Sequence, residues 1–167
     1  ADNSTSNRFF RFHVSNIPHI DKLHRGGEDA YFASDSLLVV ADGVGGWANR
    51  GIDAGLYSKS LAWYISNKFE QNNAQELNNI LVDSVVANYE IGSTTCVIAK
   101  FDTSRHDYIK TTNLGDSGYV IYRPIVEDDE KELKKIFRSQ EQQHSFNYPY
   151  QCGVGHPLPY SAFDNSH

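Results

Sequence analysis

Three carboxylates stand where two short stretches of chain can bring them together. Glu28 and Asp29 precede an apolar run, Ala30 to Ser34, and Asp42 ends a second, Leu37 to Ala41. Only Asp35-Ser36 separates the runs. Both are rich in aromatic or β-branched residues, so the pattern reads as a hairpin with a two-residue turn. If Ser34 pairs with Leu37, Asp29 falls opposite Asp42. Directly opposed residues have Cβ atoms roughly 4.5–5.5 Å apart, and like charges there repel. Such a pair either shares a proton, which raises one pKa, or binds a cation. A slip of one residue would undo the pairing.

The surroundings favour the cation. Glu28 adds a third carboxylate, and Asp42 is followed by Gly43-Val44-Gly45-Gly46. Glycine lets backbone carbonyls approach an ion closely. Carboxylate and carbonyl oxygens are hard ligands that suit Mg²⁺ or Mn²⁺. His13, His19 and His24 lack the tight spacing of a zinc site. A lone Asp-Gly would read as a turn cap; Glu-Asp facing Asp-Gly across a hairpin reads as a metal site.

The elements that must position these residues follow from periodicity. Arg8 to Ser15 alternates in part, with Phe10, Phe12 and Val14 on one face, and predicts a strand. A loop with Pro18 and Gly26-Gly27 leads to the hairpin. Tyr57, Leu61, Tyr64, Ile65 and Phe69 recur at helical spacing, as do Leu77, Ile80, Leu81, Ser84 and Val85. Residues 92–101, 107–113 and 118–123 read as three strands of an antiparallel meander. Glu127 to Lys135 reads as a solvated charge run. Ile136 to Arg138 offers one more short strand. From His144 onward prolines and glycines predict loop. Residues 1–7 read as a disordered end, and residues 8–167 as one domain. Strands, two helices, then strands make an α+β chain with helices packed on an antiparallel sheet.

Composition bounds the partners. The 167 residues carry a net charge of −6, which opposes nucleic acid as the main ligand, since phosphate backbones need a basic stripe. A phosphorylated protein remains open as substrate because a metal ion supplies positive charge. No apolar run is long enough for a transmembrane helix. Cys96 and Cys152 cannot build a disulfide framework, which favours a reducing, intracellular setting.

The acidic motifs also carry a resemblance. Arg25-Gly26-Gly27-Glu28-Asp29-Ala30 and Val40-Ala41-Asp42-Gly43-Val44-Gly45-Gly46 are similar to the paired N-terminal motifs of the type 2C (PPM) metal-dependent serine/threonine protein phosphatases. Gly92-Ser93-Thr94-Thr95 and Asn113-Leu114-Gly115-Asp116-Ser117-Gly118 match two further motifs of that family, in order. The stretch Asp42 to Ser58, with Trp47, and Gln142 to Asn147 look most like its mitochondrial branch.

The resemblance implies an antiparallel β-sandwich flanked by helices, with two Mg²⁺ or Mn²⁺ ions in a cleft. It implies hydrolysis of phosphoserine and phosphothreonine in proteins by a water that bridges the ions. Asp42 would bridge both ions, the Gly43 carbonyl would bind one, Glu28 would serve the other, and Asp29 would hold its water. Asp116 would steady water nearby, and Arg25 would grip the phosphate, as a guanidinium can. The mitochondrial likeness implies matrix phosphoproteins as substrates and a link to coenzyme Q biosynthesis. Val44 stands where well-known members carry a histidine, which leaves the general acid open between metal-held water, His24 and His19. Arg25 is one residue nearer Glu28 than the family pattern, and His24 takes the expected place. The family's later Asp-Gly and Asp-Asn aspartates have no counterpart in context; Phe163-Asp164-Asn165 matches only superficially. The chain therefore reads as a domain truncated at its C-terminus. The competing reading is a phosphatase-like binding module without catalysis. A calcium-binding structural domain ranks last, because no EF-hand-like run is present.

Overall fold

The turn at Asp35-Ser36 sets the register of everything around it. In the computed structural model, which describes residues 8–102, 104–105, 107–127 and 130–154, β1 (Asp29–Ala33) and β2 (Leu37–Asp42) form an antiparallel hairpin. The Ser34 hydroxyl accepts from the amides of Ser36 and Leu37 at 3.3 and 3.1 Å, closing the turn with its own side chain. The pairing runs from Ala33 opposite Leu38 to Asp29 opposite Asp42, the register expected from the sequence.

Two helices cover one face of the sheet. α1 (Ala54–Gln71) starts at Asp53, whose carboxylate accepts from the Gly55 amide at 2.9 Å, as an N-cap does. Its apolar stripe buries Tyr57, Leu61, Ile65 and Phe69. α2 (Leu77–Ala87) buries Leu77, Ile80 and Leu81. These side chains pack on Leu37, Val39 and Ala41 of β2, which alternate inward as strand geometry requires.

The chain then returns through β3 (Ser93–Thr94), β4 (Cys96–Phe101) and β5 (Ile109–Leu114), and the four-stranded sheet has the order β1-β2-β4-β5. Lys100 is buried on the helix side of β4. Its ammonium donates to the carbonyls of Asn73 and Gln75 at 2.7 and 2.6 Å, tying the inter-helix loop to the sheet. The α+β character and antiparallel sheet expected from sequence are present, and both helices fall where their periodicity placed them.

Four expectations need correction. The meander ends at β5: β6 (Val120–Glu127) pairs with β7 (Glu130–Arg138) in a separate ribbon. The charge run is the distal half of that ribbon; Lys131 to Lys135 is extended and exposed, and its backbone bonds rather than its side chains hold it in a strand. Residues 8–19 form no strand. Phe10 docks end-on instead, stacked on Phe101 at 4.4 Å with its amide donating to the Asp35 carbonyl. The C-terminal stretch called loop contains β8 (Gln143–Ser145), β9 (Tyr148–Pro149) and β10 (Cys152–Gly153), the last paired with β3.

The sheet face away from the helices is only partly covered among the described residues. Tyr119 reaches Thr111 across a 2.6 Å hydroxyl contact, and the Gln140 carbonyl accepts from Asn113. These anchor the ribbon's base over β5. Tyr31 and Val40, on the same face nearer β1, remain half exposed. Residues 1–7 and Phe163-Asp164-Asn165 lie outside the described residues.

Candidate metal and phosphate site

The hairpin delivers Asp29 and Asp42 to the same end of the sheet as directly opposed partners. Desolvation beside the cleft pushes Asp42 up to about 6, helped by the facing Asp29 and by the charges of Asp116 and Glu28. Opposed carboxylates without a counter-charge shift in this direction, because the charge on one disfavours ionisation of the other.

Gly43 makes the next step possible. Its amide donates to the Glu28 carbonyl at 3.2 Å. A Cβ at this position would lie 2.5 Å from that carbonyl oxygen and 3.0 Å from the carbonyl of Ala54. Only glycine lets the end of β2, the Glu28 backbone and the start of α1 converge here. Ser58, buried on the first turns of α1, donates to the same Glu28 carbonyl at 2.5 Å.

The Glu28 side chain is almost fully buried, and two cations hold it. Lys22 donates to one carboxylate oxygen and Arg25 to the other, at 3.0 Å for Arg25. Both cations come from a 3-10 turn, Ile20–Arg25, closed by left-handed Gly26. Arg25 also pairs with Asp53 at 3.6 Å, so its guanidinium is spread between the acidic motif and the cap of α1.

A cleft of about 920 Å³ opens over this floor. Glu28, Asp42, Gly43 and Asp116 line it; Arg25 does not, and Asp29 lines a neighbouring cleft on the far side of β1. The structure thus brings Glu28, Asp42, Gly43 and Asp116 together as the sequence suggested, and places Asp29 in the lining of the neighbouring cleft instead. Neither His19 nor His24 lines the main cleft.

Several of the cleft's residues were not singled out as site residues from sequence. Lys22, Trp47 and Arg50 supply one side, and Asn147, Tyr148, Pro149 and Gln151 another. Trp47 is fixed: its indole N–H donates to Ser93 Oγ at 2.6 Å, and Ser93 donates to Gln151 Oε1 at 2.5 Å. Gln151 in turn donates to the Pro149 carbonyl at 3.2 Å. The only sequence signals for this wall were the glycine-flanked Trp47 and the Gln142 to Asn147 stretch. Asn147, at φ 56°, turns the β8–β9 hairpin, a conformation Asn tolerates better than most residues.

The donor chemistry fits a hard divalent cation. Asp42 and Asp116 offer oxygen ligands at the cleft and Asp29 another opposite Asp42, and a cation would offset the repulsion between the opposed pair. Among the described residues no three acidic, His or Cys side chains are gathered as a metal-ligand set. Nor is there a thiol nucleophile. Cys96 and Cys152 are fully buried and free, burial pushes the Cys96 thiol well up, and that of Cys152 reaches about 12.

No protein-family profile matches the chain. Individual relatives do. The chain is 40% identical over 144 residues to a probable protein phosphatase 2C 55 of Arabidopsis thaliana, covering 83% of this chain and 28% of that protein. It is 34% identical over 153 residues to the protein phosphatase PTC7 homolog fig of Drosophila willistoni, covering 85% of this chain and 45% of that one. The chain therefore spans less than half the length of these relatives. Among solved structures, the photosystem II phosphatase PBCP superposes with a TM-score of 0.71 at 28% identity, over 90% of this chain and 59% of that one. Relatives so similar over most of its length, on a shared fold, make the chain a member of the type 2C (PPM) family of serine/threonine protein phosphatases.

Proposed function

We propose that the protein at its natural length hydrolyses phosphoserine and phosphothreonine in proteins, using divalent ions held at the Asp29–Asp42 pair. The observation that carries this reading is the pair itself. Opposed carboxylates cost stability, and a cation is the simplest reason for a fold to keep them. Two Mg²⁺ or Mn²⁺ ions would supply the water nucleophile and offset the phosphoryl charge.

The chain's own residues have these roles. Asp42 would hold the ions, with the Gly43 carbonyl beside it. Asp29 and Asp116 would accept hydrogen bonds from water near them. Glu28 would serve as a further ligand once Lys22 or Arg25 yields a carboxylate oxygen. Arg25 neutralises phosphate; to reach it, the guanidinium must exchange Glu28 or Asp53 for the phosphoryl oxygens. The buried thiols leave a direct water attack as the chemistry these residues support.

Similarity to the PTC7 homologue and the motif likeness at Asp42 to Ser58 support mitochondrial matrix phosphoproteins as the substrates, with coenzyme Q biosynthesis as the process served. The structural neighbour's name, a photosystem II phosphatase, marks membrane-complex phosphoproteins as another class to include in a substrate panel. Hydrolysis of a phosphothreonine peptide should require Mn²⁺ or Mg²⁺, stop with chelator and vanish in Asp42→Asn. Metal binding without turnover above that variant would instead support a phosphatase-like binding module. Glu28, already neutralised by Lys22 and Arg25, is the feature that favours this second reading.

A further inference from the structure

The cleft is larger than a phosphoryl group needs. At about 920 Å³ it lies near the upper end of ordinary ligand sites, with room for the residues that flank a phosphorylated side chain. Its charges are unevenly committed. Glu28, Asp42 and Asp116 are its acidic lining, and Lys22 and Arg50 its basic lining. Lys22 is held by Glu28. Arg50 has no carboxylate partner among the described residues.

Arg50 is nonetheless held in place. It ends the 3-10 turn Gly45–Arg50, which left-handed Gly51 closes by donating to the Ala48 carbonyl at 3.0 Å. Its guanidinium lies 5.5 Å from the centre of the Trp47 ring, within the range of cation–π attraction. Trp47 is itself pinned through Ser93 and Gln151 to the opposite wall. Cation–π attraction to the indole uses none of the guanidinium's N–H donors, which remain available to an anion.

We propose that Arg50, laid on Trp47, is the cleft's recognition point for an oxyanion-bearing side chain next to the phosphoresidue, either Asp/Glu or a second phosphoresidue. This rests on the phosphatase reading for the identity of the central group, and on the cleft's own geometry for the flanking one. In a chain of net charge −6, an exposed, unpaired arginine beside a carboxylate floor gives a flanking anion one place to go. It draws the anion away from Asp42 and Asp116.

The test separates binding from turnover. In a Trp63→Phe background, Trp47 is the sole tryptophan and reports on Arg50 beside it. Phosphothreonine peptides flanked by Glu, by phosphoserine or by Gln are titrated in chelator while Trp47 emission is followed. The Glu or phosphoserine peptide should half-saturate at about fivefold lower concentration than the Gln peptide, the scale of an exposed charge pair. The advantage should shrink at high salt, vanish in Arg50→Gln and survive partly in Arg50→Lys. Whichever of the two anionic peptides gains more names the source of the oxyanion. Equal binding of all three peptides, or a preference that persists in Arg50→Gln, overturns the proposal even if all are hydrolysed. A preference without hydrolysis by the metal-loaded protein supports it and removes only the phosphatase reading.

Discussion

Asp29 and Asp42 face each other across the β1–β2 hairpin, and Asp42 holds its proton up to about 6. Without a cation the pair costs stability. Asp42→Asn, whose amide can donate to Asp29, should raise the melting temperature in chelator by about 2–4 °C, the shift expected for roughly 1 kcal/mol in a chain of this size. The same variant should lose the stabilisation that Mn²⁺ gives the unsubstituted protein and at least about a hundredfold of its phosphatase activity. Calorimetric scans with and without Mn²⁺, beside a peptide assay, read both effects. A lower melting temperature in chelator would mean the pair is not in conflict.

Gly43 is the point where three backbones converge. Gly43→Ala puts a methyl 2.5 Å from the Glu28 carbonyl, and something must move. The expected cost is about 2–3 kcal/mol, as for an overpacked core position, measured by urea unfolding. Because the shift displaces Glu28 relative to Asp42, Mn²⁺ affinity should fall as well. Gly46→Ala, with no neighbour within 4 Å of the added methyl, is the control that should change stability little.

Ser93 joins Trp47 to Gln151. Ser93→Ala removes a donor and acceptor from a buried chain of hydrogen bonds, leaving both partners unsatisfied at a cost of about 1–3 kcal/mol. In the Trp63→Phe background, the freed Trp47 should show lower fluorescence anisotropy. Unchanged anisotropy would show that the indole is held by packing alone.

Asp102 closes the turn before β5. Its Oδ1 accepts from the Ser104 amide and hydroxyl at 2.7 and 2.6 Å and from the Arg105 amide at 3.2 Å, and Oδ2 pairs with Lys110 at 3.4 Å. The Ser104 hydrogen bonds lead in holding its carboxyl well below the usual range. A folded-state pKa below the unfolded one gives stability that is complete above the unfolded value and is lost as pH falls through the folded value. Asp102→Ala should therefore cost about 1–2 kcal/mol at pH 7, from the lost hydrogen bonds. The gap should narrow progressively below about pH 4. A gap independent of pH would assign the effect to backbone freedom instead of ionisation.

The hairpin follows from local pattern. A two-residue gap between apolar runs leaves one register that keeps Leu37, Val39 and Ala41 inward, and that register opposes Asp29 to Asp42. Local pattern determined both helices, because their stripes are long enough for the 3.6-residue period to stand out. The cleft floor was legible for the same reason: Glu28, Asp42, Gly43 and Asp116 sit in local motifs at strand ends. The remaining features depend on contacts between segments distant in the chain. Whether β6 joins β5 or β7 turns on which edge offers backbone partners, and local alternation is the same either way. The charged strand β7 is held by main-chain bonds that its side chains do not advertise. Lys22 and Arg25 reach Glu28 only because a 3-10 turn folds them back onto it. Trp47 and Arg50 become a cleft wall only because Ser93 and Gln151, 46 and 58 residues apart from their partners in sequence, fix the indole. Hydrogen bonds over such separations follow from the packed fold, where burial makes an unpaired polar group costly, and no local pattern records them.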